Sequence, residues 1–553
     1  MTSPVQAGET WRVPSVELGL DEEAGLLRTR ALAALGLPDD PAIDARVVRR
    51  AIDARGAREP RFVHSVDCTV PAEFTAKVDR SRGQRIAVEQ RPPARRFCGD
   101  AARPVVVGAG PCGIFAALWL ARAGLRPVLV DRGKPVETRA KDVSRLMGQG
   151  VIDGESNLCF GEGGAGTWSD GKLYTRKGGM LPRLVLETLV EFGADPGILV
   201  EGRPHLGTDR LVALLKRLRQ GLVDAGAEVR YGTRVSRLRS EDGRVTGVDL
   251  ADGDHIDATQ VVLALGHSAR DLYVTLSGQG VALQAKPFAV GFRVEHPQAL
   301  VDRIQYGRWW EHPLLPAAYY ELATNVGRDR QRGVYSFCMC PGGSVVPTGT
   351  REGEVCVNGM SHAARSGRYA NSALVVTVGA EECAGWLERE PESPVLAGMA
   401  FQREAEQRAW EAGGGAFVAP AQRLVDYLAG SPASEVRRTT YKRGVQPADL
   451  RGLYPPFVQE SLSAAMADFA RRMPGYVTDD AVLLGVETRT SAPVTILRDA
   501  RLLQSPTLAG LYPAGEGAGF AGGIVSAAVD GIRVAEQLLA TLGEVTAGAV
   551  VYG

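Results

Sequence analysis

Several things are scarce in this sequence, and each shortage closes off a class of protein. Eight cysteines are spread over 553 residues with no CxxC pair. That density argues against a disulfide scaffold. Together with the lack of a secretory signal pattern, it leads us to expect a reducing, cytoplasmic setting. No apolar run approaches the ~20 residues that span a bilayer, so no transmembrane segment is expected. The longest candidates, around Val105 and Val261, are short and bounded by glycine, as buried strands are. Charge of one sign is also missing. Lys plus Arg number 64 and Asp plus Glu number 64, so nucleic acid is not an expected partner. The seven histidines are scattered with no HxxxH spacing and no Cys/His cluster, so no metal is expected. Neither a GxSxG nor a Walker-type lysine motif occurs.

Glycine is abundant instead, 66 of 553 residues, against about 7% in an average chain. It has no collagen-like period, so the excess belongs in tight turns and ligand loops. Hydrophobic residues at 45% and charged residues at 23% are those of a globular protein. The length suggests three to four units or two large ones.

Residues 1–98 read as an α+β accessory domain, with helices over 26–35 and 42–54 and a strand over 62–70. From 44 to 96 this unit carries thirteen Lys and Arg against seven Asp and Glu. We read that as a solvated face, with an anion or partner surface as the alternative. Residues 91–96 look like a linker. From Pro104 the texture changes to strand 105–107, a glycine turn, helix 114–123 and strand 127–130, a βαβ unit. A helix over 211–222, capped by Thr208 or Asp209, and strands over 228–239, 244–250 and 260–265 follow. The stretch 269–480 is irregular and richer in aromatics and proline. From 481 a strand, a glycine loop and a helix return, ending near Leu542. The expected division is therefore 1–98, 99–268, 269–480 and 481–553, one domain interrupted by an insert.

Gly108-Ala109-Gly110-Pro111-Cys112-Gly113 is GxGxxG between a strand and a helix. Gly108 permits the tight turn, Gly110 admits a pyrophosphate close to the backbone, and Gly113 lets helix and strand touch. The helix N-terminus offers its unpaired N–H groups to the phosphates. Asp131 ends the next strand, where a carboxylate holding the adenosine ribose belongs, and its identity argues against a 2′-phosphate. Four later features favour FAD over NAD: the second glycine loop Gly161 to Gly166, a strand carrying Val235, the strand end Leu263 to Gly266, and Gly515-Glu516 followed by Gly517 to Gly523 and a helix from Ile524. The expected cofactor residues are Gly108, Gly110, Pro111, Cys112, Gly113, Asp131, Arg132, Gly163, Gly164, Gly166, Thr167, Val235, Gly266, Gly515, Glu516, Gly522, Gly523 and Ile524, with FAD bound non-covalently.

Long stretches then carry a resemblance: Glu155 to Thr175, Gly266 to Asp271, Lys286 to Gly291, Tyr335 to Gly343, Tyr369 to Ser372, Gly485 to Pro493 and Gly515 to Gly531. In these the chain resembles a bacterial family of largely uncharacterised FAD-dependent dehydrogenases. More remotely it is similar to fumarate reductases and geranylgeranyl reductases. The resemblance implies an α/β fold, namely a glutathione-reductase-like two-part FAD-binding Rossmann domain with an inserted α+β substrate domain. It also implies a redox role, and it supplies no substrate.

The flavin would transfer electrons while the protein positions the substrate. Arg489 is the candidate to stabilise an anionic substrate or reduced flavin, and Glu487 to orient it or move a proton. The structural alternative is an Arg–Glu pair tying domain to insert. Lys172 is the third catalytic candidate, against a surface or phosphate role. His267, His296 and His362 are weaker acid–base candidates. Cys338 and Cys340 form a CxC; a redox pair at the flavin is the alternative reading, but alternating strand positions make a poor disulfide, so packing is the default. A second GxGxxG unit is missing, which argues against a pyridine-nucleotide disulfide reductase; if NAD(P)H is the reductant it docks transiently in the insert cleft, and otherwise the substrate reduces the flavin and O2 or a carrier reoxidises it. The expected function is a FAD-dependent oxidoreductase that desaturates or reduces a small organic molecule. The alternatives are an NAD(P)H-dependent flavin monooxygenase and a flavin electron-transfer or binding protein. Oligomeric state is not legible.

Overall fold

The computed structural model describes residues 8–56, 58–87, 94–99, 102–175, 178–389, 393–432, 435–543 and 545–548. Part of the expected linker, residues 91–93, lies outside the described residues.

Five strands form a parallel sheet in the order Leu511–Pro513, Val261–Leu263, Val105–Val107, Val128–Val130, Glu228–Arg230. Three of them, Val105–Val107, Val128–Val130 and Val261–Leu263, are short, wholly buried runs of valine and leucine, which is what a sheet covered on both faces requires. Helix Pro111–Arg122 packs against helix Ile524–Leu542 beneath the sheet. Gly531 makes that approach possible, because a Cβ there would lie 2.2 Å from the Cys112 carbonyl oxygen. A three-stranded antiparallel sheet, Val235–Glu241, Arg244–Leu250 and His255–Asp257, shares the core on the other face. The single strand expected over 228–239 is thus two strands in two sheets, and the chain turns between them at Gly232, φ +65°.

The chain then leaves this core for a seven-stranded sheet ordered Ala323–Val326, Arg332–Cys340, Tyr369–Val378, Phe288–Pro297, Val482–Glu487, Ala419–Arg423, Val445–Pro447. All neighbours are antiparallel except the last pair. Helices Ala397–Gly413 and Pro456–Arg472 share its core. The boundary expected at 481 falls at the start of a central strand of this sheet. Helix Arg270–Gly278, just past the boundary expected at 268, packs with the parallel-sheet side. The chain crosses back through Val494–Ile496, which pairs with Leu283–Ala285.

The N-terminal unit is a four-stranded sheet, ordered Asp44–Asp53, Arg61–Val70, Glu9–Gly19, Gln84–Ile86, packed on helix Leu26–Ala34. The helix expected over 42–54 is a strand. Its Arg and Ala residues suggested a helix, but Val47, Val48 and Ile52 are β-branched, and Asp44 to Asp53 pairs along its length with Arg61–Val70. The expected capping of the later helix also differs. Helix Thr208–Asp224 has Gly207 as its N-cap, and the Thr208 hydroxyl donates to the Ser169 carbonyl instead.

Candidate functional site

A cavity of about 2680 Å³ opens over the carboxyl ends of the parallel strands and runs to the inserted sheet and the N-terminal unit. Such strand ends are where open α/β sheets place ligands. Gly108, Gly110, Pro111 and Cys112 line it. Gly108 has φ +106°, and a Cβ there would stand 2.3 Å from the Ala264 carbonyl oxygen. A Cβ on Gly113 would come within 1.8 Å of the Gly108 oxygen, so Gly113 shapes the turn from behind. Helix Pro111–Arg122 starts with no side-chain cap, leaving its first N–H groups for a ligand. Asp131 is on the cavity wall, but its carboxylate already accepts the Ala109 N–H at 2.7 Å and the Gly133 N–H at 2.8 Å. Arg132, also on the wall, pairs with Glu155 and Asp271 and lies over Phe160, 4.3 Å from its centroid.

The second glycine loop rests on the first. Gly163 donates to the Ala109 carbonyl at 2.7 Å, and a Cβ on Gly164 would sit 3.1 Å from Gly110 Cα. Gly164 and Gly166 face the cavity. Thr167 turns its hydroxyl back onto the Glu162 carbonyl at 3.1 Å, so it holds the loop's shape. Arg139 is what sequence reasoning missed. Fully buried, it donates to the carbonyls of Asn157, Glu162 and Gly164 and lies 4.5 Å from the Trp168 centroid. Only its place on the inward face of helix Val136–Gln149 hinted at this.

Val235, Gly266 and Glu516 close the cavity from the remaining strand ends. Tyr273 donates to the Gly517 carbonyl at 2.6 Å and lies 3.1 Å from that of Gly266, tying two loops together. Gly515 donates to Asp530 at 2.8 Å, and Arg498 holds Asp530 at 2.7 Å. Burial pushes the Glu516 carboxyl up to about 7, against the pull of Lys286. Gly522, Gly523 and Ile524 bring a second uncapped helix N-terminus to the cavity.

The opposite wall belongs to the insert and carries Tyr319, Tyr320, Tyr335 and Phe337. Of the three residues expected to carry chemistry, Lys172 puts its charge at this wall, where its ammonium donates to the Met339 carbonyl and lies 3.8 Å from Cys338 Sγ. Burial would lower its pKa, but Cys338, Cys340 and Asp170 outweigh that and raise it. Arg489 reaches the wall, yet its guanidinium is committed to Glu406 at 2.7 Å and 3.0 Å, to Glu354 at 3.2 Å and to Thr350 at 3.0 Å. Glu487 does not pair with Arg489. It faces Arg293 at 3.3 Å, and its Oε2 has no hydrogen-bond partner. His267 lines the cavity; burial, with Arg489 and Arg270 nearby, pushes it down to about 4, so it is neutral. His296 is buried on the Tyr476 carbonyl, and His362 is exposed beside Asp209.

Burial pushes Glu487 from its ordinary 4.5 up to about 8. Its carboxyl therefore binds a proton more tightly in the folded chain than in the unfolded one. The stability this contributes is complete below pH 4.5 and is lost as the pH rises through about 8. Urea midpoints are expected to fall between pH 6 and pH 8, and Glu487→Gln is expected to flatten that slope. An unchanged slope in the variant would assign the pH dependence to another group.

The family model described as FAD-dependent protein, C-terminal domain-like, matches residues 287–490, the stretch folded as the seven-stranded sheet. A relative from Clostridium beijerinckii, named only as an uncharacterized protein, is 40% identical over 534 residues, covering 96% of this chain and 98% of its own. The chain belongs to this family of FAD-dependent proteins. Two further relatives match in part. Protein FixC of Escherichia coli K12 is 29% identical over 214 residues, covering 36% of this chain and 45% of FixC. Menaquinone reductase of Mycolicibacterium smegmatis is 32% identical over 166 residues, covering 29% of this chain and 37% of that protein. Less than half of either protein is therefore matched.

The site fits the flavin nucleotide this family is named for. Any side chain at Gly108 would collide with backbone, and Gly110 and Gly164 form a cradle with no Cβ between two uncapped helix N-termini. Two helix dipoles directed at one cavity suit a ligand with a pyrophosphate at one end and an electron-accepting ring at the other. Among the described residues, no helix is long and apolar enough to cross a membrane.

Proposed function

We propose that this FAD-dependent oxidoreductase moves a hydride between its flavin and a small, largely apolar organic substrate held against the insert, desaturating or reducing it. One observation carries the reading: a single cavity joins the glycine loops to the aromatic wall of the inserted sheet. FAD supplies the two-electron chemistry when bound. On this reading Gly110 and Cys112 present N–H groups to the pyrophosphate, Pro111 between them having none, Asp131 faces the adenosine ribose, and Val235 borders the adenine. Gly515 and Glu516 flank the ribityl chain. Helix Ile524–Leu542 turns its positive end to the ring, favouring negative charge there. Lys172 stabilises charge developing on substrate or flavin, and Tyr335 and Phe337 exclude water. Arg489 positions this wall through Glu406. NAD(P)H serves as a transient reductant from the same cavity. The relative named as a menaquinone reductase supports reduction as the class of reaction.

Anaerobic mixing of the holoprotein with NADH, NADPH and a panel of organic donors tests this. Bleaching of the flavin band by a nicotinamide or an organic donor, with reoxidation by an organic acceptor, is expected. A flavin that exchanges electrons only with a protein partner would assign the chain to electron transfer.

A further inference from the structure

The CxC at 338 and 340 does not follow the alternation of a regular strand. Strand Arg332–Cys340 breaks register with Tyr369–Val378 between Phe337 and Cys340, and Cys338 sits at φ +48°, a left-handed conformation costly for a residue with a Cβ. The break lifts Cys338 out of the ladder. Its side chain lines the cavity, while Cys340 behind it is fully buried. Cys340 Sγ donates to the Cys338 carbonyl at 3.2 Å, which folds the two residues back on each other. The objection that alternating strand positions cannot bridge therefore does not apply here.

The surroundings are cationic. Lys172 Nζ is 3.8 Å from Cys338 Sγ, and Arg293, fully buried, reaches the Cys338 carbonyl at 3.1 Å and Cys340 Sγ at 3.9 Å. The nearby carboxylate of Asp170 is engaged by Arg365 and Ser361. Glu487, the partner of Arg293, is held protonated at neutral pH by burial. Arg293, fully buried, and Lys172, partly buried, thus have Cys338 beside them as a group able to carry the answering negative charge. The neighbouring Cys340, then Lys172 and Arg293, outweigh burial and Asp170 and hold the Cys338 thiol well below its ordinary value, while that of Cys340 is raised. A thiol of lowered pKa at a cavity wall, with a second thiol behind it, suits a dithiol that cycles.

We propose that Cys338 and Cys340 are a redox-active dithiol on the wall of the flavin cavity. On oxidation an Sγ–Sγ bond forms between them, and the Cys340 S–H bond breaks. Two electrons and that one proton pass to an acceptor. With oxidised FAD, thiolate plus thiol gives a disulfide plus the anionic reduced flavin, so charge and hydrogen balance. A bridge between residues two apart at a bulge is strained, which suits a reducible bond rather than a permanent one. Only the identity of this acceptor rests on FAD occupying the cavity; the pairing of the two sulfurs does not.

The test equilibrates the full-length holoprotein in buffers of reduced and oxidised glutathione. The samples are then acid-quenched, alkylated after unfolding and peptide-mapped. Cys338 and Cys340 are expected to lose alkylation together, in a peptide lighter by two hydrogen atoms, while Cys68 and Cys112 stay labelled. In Cys340→Ser, Cys338 is expected to stop at a glutathione adduct. Lys172→Met is expected to raise the pH midpoint of Cys338 alkylation in the folded protein. Cys338 carrying glutathione while Cys340 stays alkylable, or both staying alkylable throughout, overturns the proposal. Flavin content measured on the same samples separates the two claims. Paired thiols in protein without FAD would sink the flavin reading alone, and unpaired thiols in protein with FAD would sink the dithiol alone.

Discussion

Arg489→Ala is expected to lower the unfolding free energy by about 3–5 kcal/mol, the usual cost of removing one partner from a buried ion pair. Glu406 is fully buried and takes Arg489 on one side and Arg270 at 2.8 Å on the other. Glu354, 2% exposed, shares Arg489 at 3.2 Å. Burial alone would raise the Glu406 carboxyl, but the two guanidinium groups outweigh it and hold it well below the usual carboxylate range. Without Arg489, two buried carboxylates would face Arg270 and the more exposed Arg351 and Arg403. Arg489→Lys keeps the charge but not the planar fork, so an intermediate loss is expected. The network also joins Arg270, at the start of helix Arg270–Gly278, to the long helix of the insert, so the loss should fall on the seam between the two sheets. Urea midpoint, flavin content and flavin reduction rate measured on one preparation decide the matter. The expected result is a lowered midpoint with the rate per flavin-bearing molecule preserved. An unchanged midpoint with a lost rate would return Arg489 to the chemistry.

Asp131→Ala is expected to weaken FAD retention by an order of magnitude or more while the chain still folds. The carboxylate pins the first glycine loop through the N–H of Ala109 and the turn after its own strand through the N–H of Gly133. Hydrogen bonds to a charged group are each worth about 1.5–3 kcal/mol, and the loop they shape is the cradle itself. Any ribose hydroxyls would use the remaining lone pairs. Asp131→Asn should not rescue it, since its amide N–H₂ cannot accept the second backbone N–H. Released flavin fluorescence on serial dilution measures the effect. Retention equal to the parent protein would refute the role.

What the sequence made legible was local and glycine-dependent. The GxGxxG turn, the second loop and the Gly515-Glu516 strand end each announce themselves, because only glycine tolerates the φ of Gly108 or the contact of Gly164 with Gly110. Long-range pairing was not legible. Glu487 and Arg489 are two residues apart, so a mutual role looked natural, but the strand ends at Glu487, which faces Arg293, and Arg489 beyond that end reaches Glu406 instead. The strand Asp44–Asp53 was misread because its fold is decided by its neighbour Arg61–Val70 rather than by its own composition. The buried Arg139 and the bulge at Cys338 are likewise tertiary facts. An arginine inside a helical pattern reads as solvent-facing, and a bulge leaves no mark in a run such as Ser336 to Cys340.

The central claim is that one cavity seats FAD between the glycine loops and the inserted wall. A crystal structure of the holoprotein tests it most directly. The account predicts density for a whole, unlinked FAD, with its pyrophosphate at the Gly110–Pro111 helix start and its ring between Ile524 and Lys172. Flavin density elsewhere, FMN in its place, or a covalent bond from protein to flavin would contradict it.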